Sequence, residues 1–143
     1  MARSMDEKQQ RIAALPMFKG ADKKAIVHLA SSADEITVEA DHVLIRQGTS
    51  NNDLYIIESG AATVEIDGEQ VAEIPAGELF GELGYFVHTP PSATVKTSEE
   101  SVVLVIPYNR FAQTLEENPQ LVLAIAVDLA ERLHAMDVRM QHK

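Results

Sequence analysis

The feature that most constrains the fold is a series of short β-rich segments between residues 35 and 107, separated by turn residues. Asp67-Gly68 is a pair typical of two-residue hairpin turns, and alternating apolar residues lie on both sides of it. Turns recur about every 8–12 residues, a spacing typical of antiparallel sandwiches and barrels. This region therefore predicts an antiparallel barrel or sandwich.

Helices are predicted before the β-rich region. The first covers Asp6–Leu15, which consists mostly of polar helix-forming residues and is followed by Pro16. The second covers Lys23–Ala33, where apolar residues recur at helical spacing. Asp22 is the predicted N-cap of this second helix, because its carboxylate can accept a hydrogen bond from a free N–H group of the first turn.

Helical spacing returns after Pro107. A short helix is predicted at residues 109–115, and Asn118-Pro119 predicts the start of a longer helix, with Asn as its cap and Pro at its first position. The longer helix carries an a/d stripe over nearly three heptads. The residues of this stripe are Val122, Ala126, Leu129, Leu133, Met136 and Met140.

The a/d stripe has two interpretations. Leu121 and Ile125 form a second apolar set that could pack the helix onto the domain, leaving the stripe free to pair with a second copy. Alternatively, all of these residues cover the domain's own core. We expect a homodimer through this helix.

The charge of the chain restricts its partners. The formal net charge is −10 and the isoelectric point is about 4.8, so nucleic acid and anionic membranes are repelled at long range. No apolar run approaches the roughly 20 residues needed to span a bilayer, and residues 1–11 are too polar for a secretory signal. The chain has no cysteine, which fits a cytoplasmic protein. We expect no nucleic-acid partner for this chain alone and no membrane.

The sequence does not favour an enzyme. Glu73, Glu78 and Glu82 lie close in sequence, and paired carboxylates can perform acid–base chemistry, but no nucleophile with a base stands beside them. The histidines never show the paired spacing of a metal site, so we expect no metal and no cofactor. They are His28, His42, His88, His134 and His142.

Residues 80–95 contain the most informative segment. The segment begins with Phe80-Gly81-Glu82-Leu83. Because Gly81 has no side chain, its backbone can approach a ligand closely. The residues that follow are predicted to open a short helix with free N–H groups. A plain turn at Gly81 and an acidic helix cap at Glu82 are the structural alternatives. Together with Pro90-Pro91-Ser92-Ala93, the segment resembles the phosphate-binding cassette of cyclic-nucleotide-binding domains, the module of catabolite activator protein and of kinase and channel regulatory domains.

The resemblance covers nearly the whole chain. Four further segments are similar to that family in the right order: 15–20, 45–48, 54–60 and 109–111. The resemblance implies an α+β fold: an antiparallel, jelly-roll-like β-roll of about eight strands flanked by N-terminal helices and a long C-terminal helix. It also implies a single domain over 1–143, with helices at 1–34, the roll at 35–107 and helices at 108–143.

The resemblance also implies roles for individual residues. Glu82 takes the position of the carboxylate that accepts from a ribose hydroxyl, while Ser92 and Ala93 lie near phosphate and purine. The ligand-binding candidates are Phe80, Gly81, Glu82, Leu83, Ser92 and Ala93, with His88, Pro91 and Thr94 as weaker candidates. The implied ligand is cyclic AMP or cyclic GMP.

The chain departs from the family at one position. The arginine that holds the phosphate is replaced by Pro91, which has no charge, no side-chain donor and no backbone N–H. A charge-assisted hydrogen bond contributes about 1.5–3 kcal/mol, and more when it is bidentate, so its loss weakens binding roughly 10- to 1000-fold. His88 and Lys96 are the nearby cations that could substitute.

These observations predict a regulatory sensor domain for signal transduction, with weak or lost cyclic-nucleotide binding. The alternative is a dimerisation or interaction module of the same fold that binds no nucleotide. Catabolite-activator relatives append a DNA-binding helix-turn-helix after the long helix, so the chain is expected either to stand alone or to form part of a longer regulator.

Overall fold

A computed structural model describes residues 4–141, and the side chains of residues 4–138. Two α-helices open the chain, α1 at Met5–Ala13 and α2 at Lys23–Ser32, with a 3-10 helix at Pro16–Phe18 between them. The carboxylate of Asp22 accepts a hydrogen bond of 2.9 Å from the N–H of Ala25, which confirms the predicted cap of α2.

Eight antiparallel strands follow, in two four-stranded sheets, which confirms the predicted β-roll. The first sheet has the order β1-β8-β3-β6 and the second has the order β2-β7-β4-β5. The strands are β1 Asp34–Val38, β2 Val43–Ile45, β3 Asp53–Ser59, β4 Ala61–Ile66, β5 Glu69–Pro75, β6 Leu79–Phe80, β7 Thr94–Thr97 and β8 Ser101–Pro107.

The hairpin between β4 and β5 turns at Asp67-Gly68, as the sequence predicts. Both residues have positive φ, 53° and 84°, as a type I′ turn requires. Ile66 and Glu69 pair directly across this turn.

Strand β3 is buried on both of its faces and separates two apolar clusters. Leu54 and Ile56 belong to the cluster that packs the first sheet against the helices, whereas Tyr55 and Ile57 belong to the cluster inside the roll. This alternation follows from the two-residue period of a strand. One face of β3 therefore packs inside the roll, and the other packs against the helices.

Three more helices complete the fold: α3 at Glu82–Val87, α4 at Tyr108–Glu117 and α5 at Pro119–Gln141. Pro119 is the first residue of α5, as predicted. Asn118 lies between α4 and α5: its side-chain amide donates to the Thr114 carbonyl, at 2.9 Å, and its backbone carbonyl accepts from the N–H of Leu121, at 2.9 Å.

Candidate functional site

A cavity of about 390 Å³ lies between the second sheet and the segment that contains α3. Its lining includes seven of the residues singled out in the sequence: Phe80, Gly81, Glu82, Leu83, Pro91, Ser92 and Ala93. The opposite wall consists of aliphatic side chains from four strands, Ile45, Val64, Ile74 and Val95. The cassette residues and the strands therefore meet around one space.

Gly81 adopts a conformation that a side chain would disfavour. Its φ is 92°, and a Cβ atom would lie 2.8 Å from the carbonyl oxygen of Asp53. The close approach at this glycine is therefore to the backbone of β3, within the protein. Gly81 also accepts a hydrogen bond from the hydroxyl of Tyr108 through its carbonyl oxygen.

Tyr108, the first residue of α4, fixes the start of α3. Its hydroxyl would lie 2.8 Å from a Cβ atom at Gly84, so this second glycine makes room for the ring. The side-chain amide of Asn51 donates to the Tyr108 hydroxyl at 2.9 Å and to the Asp53 carbonyl at 2.8 Å. Burial raises the pKa of Tyr108, so the phenol stays protonated and keeps its donor.

Glu82 is buried at the first position of α3 and lines the cavity. Burial raises the pKa of its carboxyl group, while a backbone hydrogen bond and Arg132 act in the opposite direction. The Oε1 atom of Glu82 lies 3.8 Å from Nη1 of Arg132, and Nη2 of Arg132 lies 2.9 Å from Oδ2 of Asp128. Helix α5 therefore contacts a cavity residue through Arg132.

The sequence analysis missed Arg132, Asp128, Tyr108 and Asn51. Asp128 and Arg132 are spaced for an i,i+4 pair on a helix, a pattern readable from sequence. Their approach to Glu82, and that of Tyr108 to Gly81, join elements far apart in the chain. No local pattern predicts such contacts.

Two of the three weaker candidates, His88 and Thr94, lie outside the cavity lining. His88 is exposed, and its backbone lies in the left-handed region with φ of 60°. Its backbone N–H donates to the Gly84 carbonyl at the end of α3. The Thr94 hydroxyl oxygen accepts from the N–H of Gln47 at 3.0 Å. Pro91 does line the cavity, and its carbonyl oxygen accepts from the N–H of Gly48 at 2.9 Å.

The cavity lining holds no cation that could serve as the phosphate-binding arginine expected from the sequence resemblance. The sixteen residues of the lining include no Lys, Arg or His, and Glu82 is the one ionisable group among them. Lys96 is the other cation that the sequence offers as a substitute. Its Nζ atom lies 2.9 Å from Oε2 of Glu65, and this hydrogen bond raises the pKa of Lys96. The cavity is therefore apolar with a single acidic group.

Helix α5 divides into a buried and an exposed part. Leu121 and Ile125 are buried in the helix-side core, as the second apolar set predicts, and Leu129 is partly buried against the same cluster. The rest of the predicted stripe that the structure describes is exposed: Val122, Ala126, Leu133 and Met136. The side chain of Met140 lies outside the described residues.

Two properties of the described part of the chain bear on other functions. Residues 4–141 include no helix with the length and apolarity needed to cross a bilayer. Within the same residues, no three His, Cys, Asp or Glu side chains come together as a metal site would require.

Comparison with known proteins gives consistent matches. Residues 35–118, more than half of the chain, match the cyclic nucleotide-binding domain family. The Pycsar effector protein BcPycTIR of Burkholderia cepacia is 30% identical over 129 residues, which cover 88% of this chain and 43% of that protein. The chain spans less than half the length of the curated relatives it matches.

Two solved structures illustrate the likeness in fold. The sensor domain of the transcriptional regulator DNR from Pseudomonas aeruginosa superposes with a TM-score of 0.80 at 22% identity, covering 92% of both chains. The regulatory subunit of a cAMP-independent protein kinase A from Trypanosoma cruzi, bound to guanosine, superposes with a TM-score of 0.72 at 26% identity. That match covers 78% of this chain and 41% of the other.

Proposed function

Because this chain belongs to the cyclic nucleotide-binding domain family, we propose that it is a regulatory sensor domain that has kept the ribose carboxylate and lost the phosphate cation. One observation carries this proposal: the cavity lining holds Glu82 and no Lys, Arg or His. The family is regulatory and not catalytic. The candidate contacts are those that the cassette supplies, from Phe80 to Leu83 and at Ser92 and Ala93.

The missing cation weakens the binding of any anionic ligand. A hydrogen bond to a charged group contributes about 1.5–3 kcal/mol, which corresponds to roughly 10- to 150-fold in affinity. Glu82 adds a negative charge inside the same cavity, and the chain as a whole carries −10. Cyclic AMP and cyclic GMP are therefore expected to bind weakly.

The contact between Glu82 and Arg132 provides a route from the cavity to helix α5. A ligand hydroxyl that donates to Glu82 would share the carboxylate with Arg132, which holds it at 3.8 Å. A ligand that binds one arrangement of α5 better than another shifts the population toward that arrangement. Arg132 is the residue through which we expect this shift to act.

The guanosine in the Trypanosoma cruzi neighbour supports a wider form of the proposal. In that form the cavity accepts a ligand other than a cyclic nucleotide. The loss of the phosphate cation at Pro91 is consistent with it.

The second candidate function is a dimerisation module of the same fold. It is favoured by the exposed apolar side chains on α5, among them Leu133 and Met136. A homodimer through this helix is compatible with the sensor function, and it stands alone if the cavity binds nothing. For both proposed functions we expect a cytoplasmic protein and no nucleic-acid partner for this chain.

The test is a thermal-unfolding titration with cyclic AMP and cyclic GMP. Ligand at 100 times its dissociation constant adds about 2.7 kcal/mol, which raises the midpoint of a domain this size by several degrees. We expect a saturable rise that requires nucleotide at about millimolar concentration, in keeping with the loss of roughly 10- to 150-fold in affinity. An unchanged midpoint with both nucleotides would remove them as ligands and leave two alternatives, a cavity that accepts another ligand and the dimerisation module.

A further inference from the structure

We infer that the cavity takes an uncharged ligand with a flat apolar body and neighbouring hydroxyl groups, the chemistry of a nucleoside. This inference rests on the proposed sensor function and specifies its ligand. It follows from the charge, the walls and the size of the cavity.

Charge excludes a tight anionic ligand. Glu82 is the one ionisable group in the lining. The cations on neighbouring elements are already paired, Arg132 with Asp128 and Glu82, and Lys96 with Glu65. A phosphate in this cavity would face the Glu82 carboxylate, and the lining holds no cation to offset its charge. An uncharged ligand meets no such repulsion, because its hydroxyl groups can donate to Glu82.

The carboxylate also defines the polar end of the ligand. An ionised carboxylate accepts hydrogen bonds through two oxygens and donates none, so it selects hydroxyl donors. Two adjacent hydroxyls, as in a ribose, match two adjacent oxygens. Nη1 of Arg132 lies 3.8 Å from Oε1 of Glu82, longer than a hydrogen bond, so the carboxylate can still accept from a ligand hydroxyl.

The walls define the apolar end. Val64, Ile74 and Val95 form one side, and Leu83 and Val87, one turn apart on α3, lie on the other. Leu83 and Val87 are 64% and 57% exposed, so a ring placed between these walls would remove apolar surface from water. The cavity volume of about 390 Å³ lies within the range of small-ligand sites, about 300–1,000 Å³.

The test compares matched ligands that differ in the phosphate. Adenosine and cyclic AMP share base and sugar, as do guanosine and cyclic GMP, and binding of each would be measured by calorimetry and by the unfolding midpoint. We expect one nucleoside to bind at least tenfold more tightly than its cyclic nucleotide. Glu82→Gln should weaken nucleoside binding at least tenfold, whereas Glu69→Gln, at an exposed position on β5, should leave it unchanged.

The outcomes separate the two proposals. Tighter binding of a cyclic nucleotide than of its nucleoside overturns the uncharged ligand and leaves the sensor function in place. Binding of neither class overturns both proposals. Nucleoside binding that Glu82→Gln does not change overturns the assigned site, provided that the variant unfolds cooperatively like the unmodified protein.

Discussion

Nη1 of Arg132 lies 3.8 Å from Oε1 of Glu82, so the C-terminal helix contacts the one ionisable side chain that lines the cavity. The Arg132 side chain is 49% exposed, whereas Glu82 is buried. An ion pair with one exposed partner is screened by solvent and contributes little to stability, about 0–1 kcal/mol. The pair is thus weak enough for a ligand to replace.

The pH dependence of stability reports the burial of Glu82. Burial raises the pKa of its carboxyl group, so the folded state binds this proton more tightly than the unfolded state. The free energy of unfolding therefore falls as pH rises from the unfolded pKa through the folded one. Glu82→Gln removes this loss, so the variant should be more stable than the unmodified protein at pH 7. The difference should vanish below about pH 4, where both states carry a neutral Glu82.

Thermal unfolding between pH 4 and pH 8 measures this difference. Glu69→Gln is the matched control, because it removes the same charge from an exposed position and should give no comparable change with pH. A Glu82→Gln variant that is less stable at pH 7 would show that the contact with Arg132 outweighs the cost of burying the carboxylate.

Gly81→Ala should destabilise the fold through two effects. A residue with a side chain in the left-handed region costs about 1–2 kcal/mol, and the added Cβ would lie 2.8 Å from the Asp53 carbonyl oxygen. We expect the free energy of unfolding to fall by at least about 2 kcal/mol in urea titrations.

Gly48→Ala separates the two effects. Gly48 also has a positive φ, 80°, but a Cβ there would meet no atom within 4 Å. The control should therefore lose only the conformational part, about 1–2 kcal/mol. Equal losses in the two variants would show that the Asp53 carbonyl moves aside without cost.

The fold was predictable because its determinants are local. Asp22 caps α2 through the residue three positions on, and Asp67-Gly68 turns the hairpin by its own backbone preference. Strand β6 was missed because Leu79 and Phe80 are too few residues to show a period.

The electrostatics of the site were less accessible from sequence. The direction of Lys96 depends on the register of β7 with β4, where Lys96 pairs with Thr63 and reaches Glu65. The contact of Arg132 with Glu82 depends on how α5 packs against the domain. Neither relationship is encoded within a few residues.

Pro91→Arg should add a positive charge at the position that the sequence resemblance assigns to the family's phosphate-binding arginine. If the rest of the cavity is competent, the affinity for cyclic AMP or cyclic GMP should rise roughly 10- to 150-fold, the equivalent of one charge-assisted hydrogen bond. Calorimetric titration measures the change. Pro91→Gln is the matched control, since it adds length and donors without charge. An equal gain in both variants would show that charge is not the missing element, and no gain in either would show that other parts of the nucleotide site are lost.

Leu133→Glu should disrupt the proposed homodimer. Leu133 is 61% exposed on α5 and lies in the a/d stripe. In a two-fold symmetric dimer each substitution occurs twice, and each places a charge in an apolar seam. We expect the dimer dissociation constant to rise at least about tenfold, a change of about 1.4 kcal/mol, in sedimentation equilibrium. Leu123→Glu is the matched control, because Leu123 is also exposed on α5 but lies outside the stripe. A monomeric unmodified protein, or equal dissociation of both variants, would contradict a dimer through this stripe.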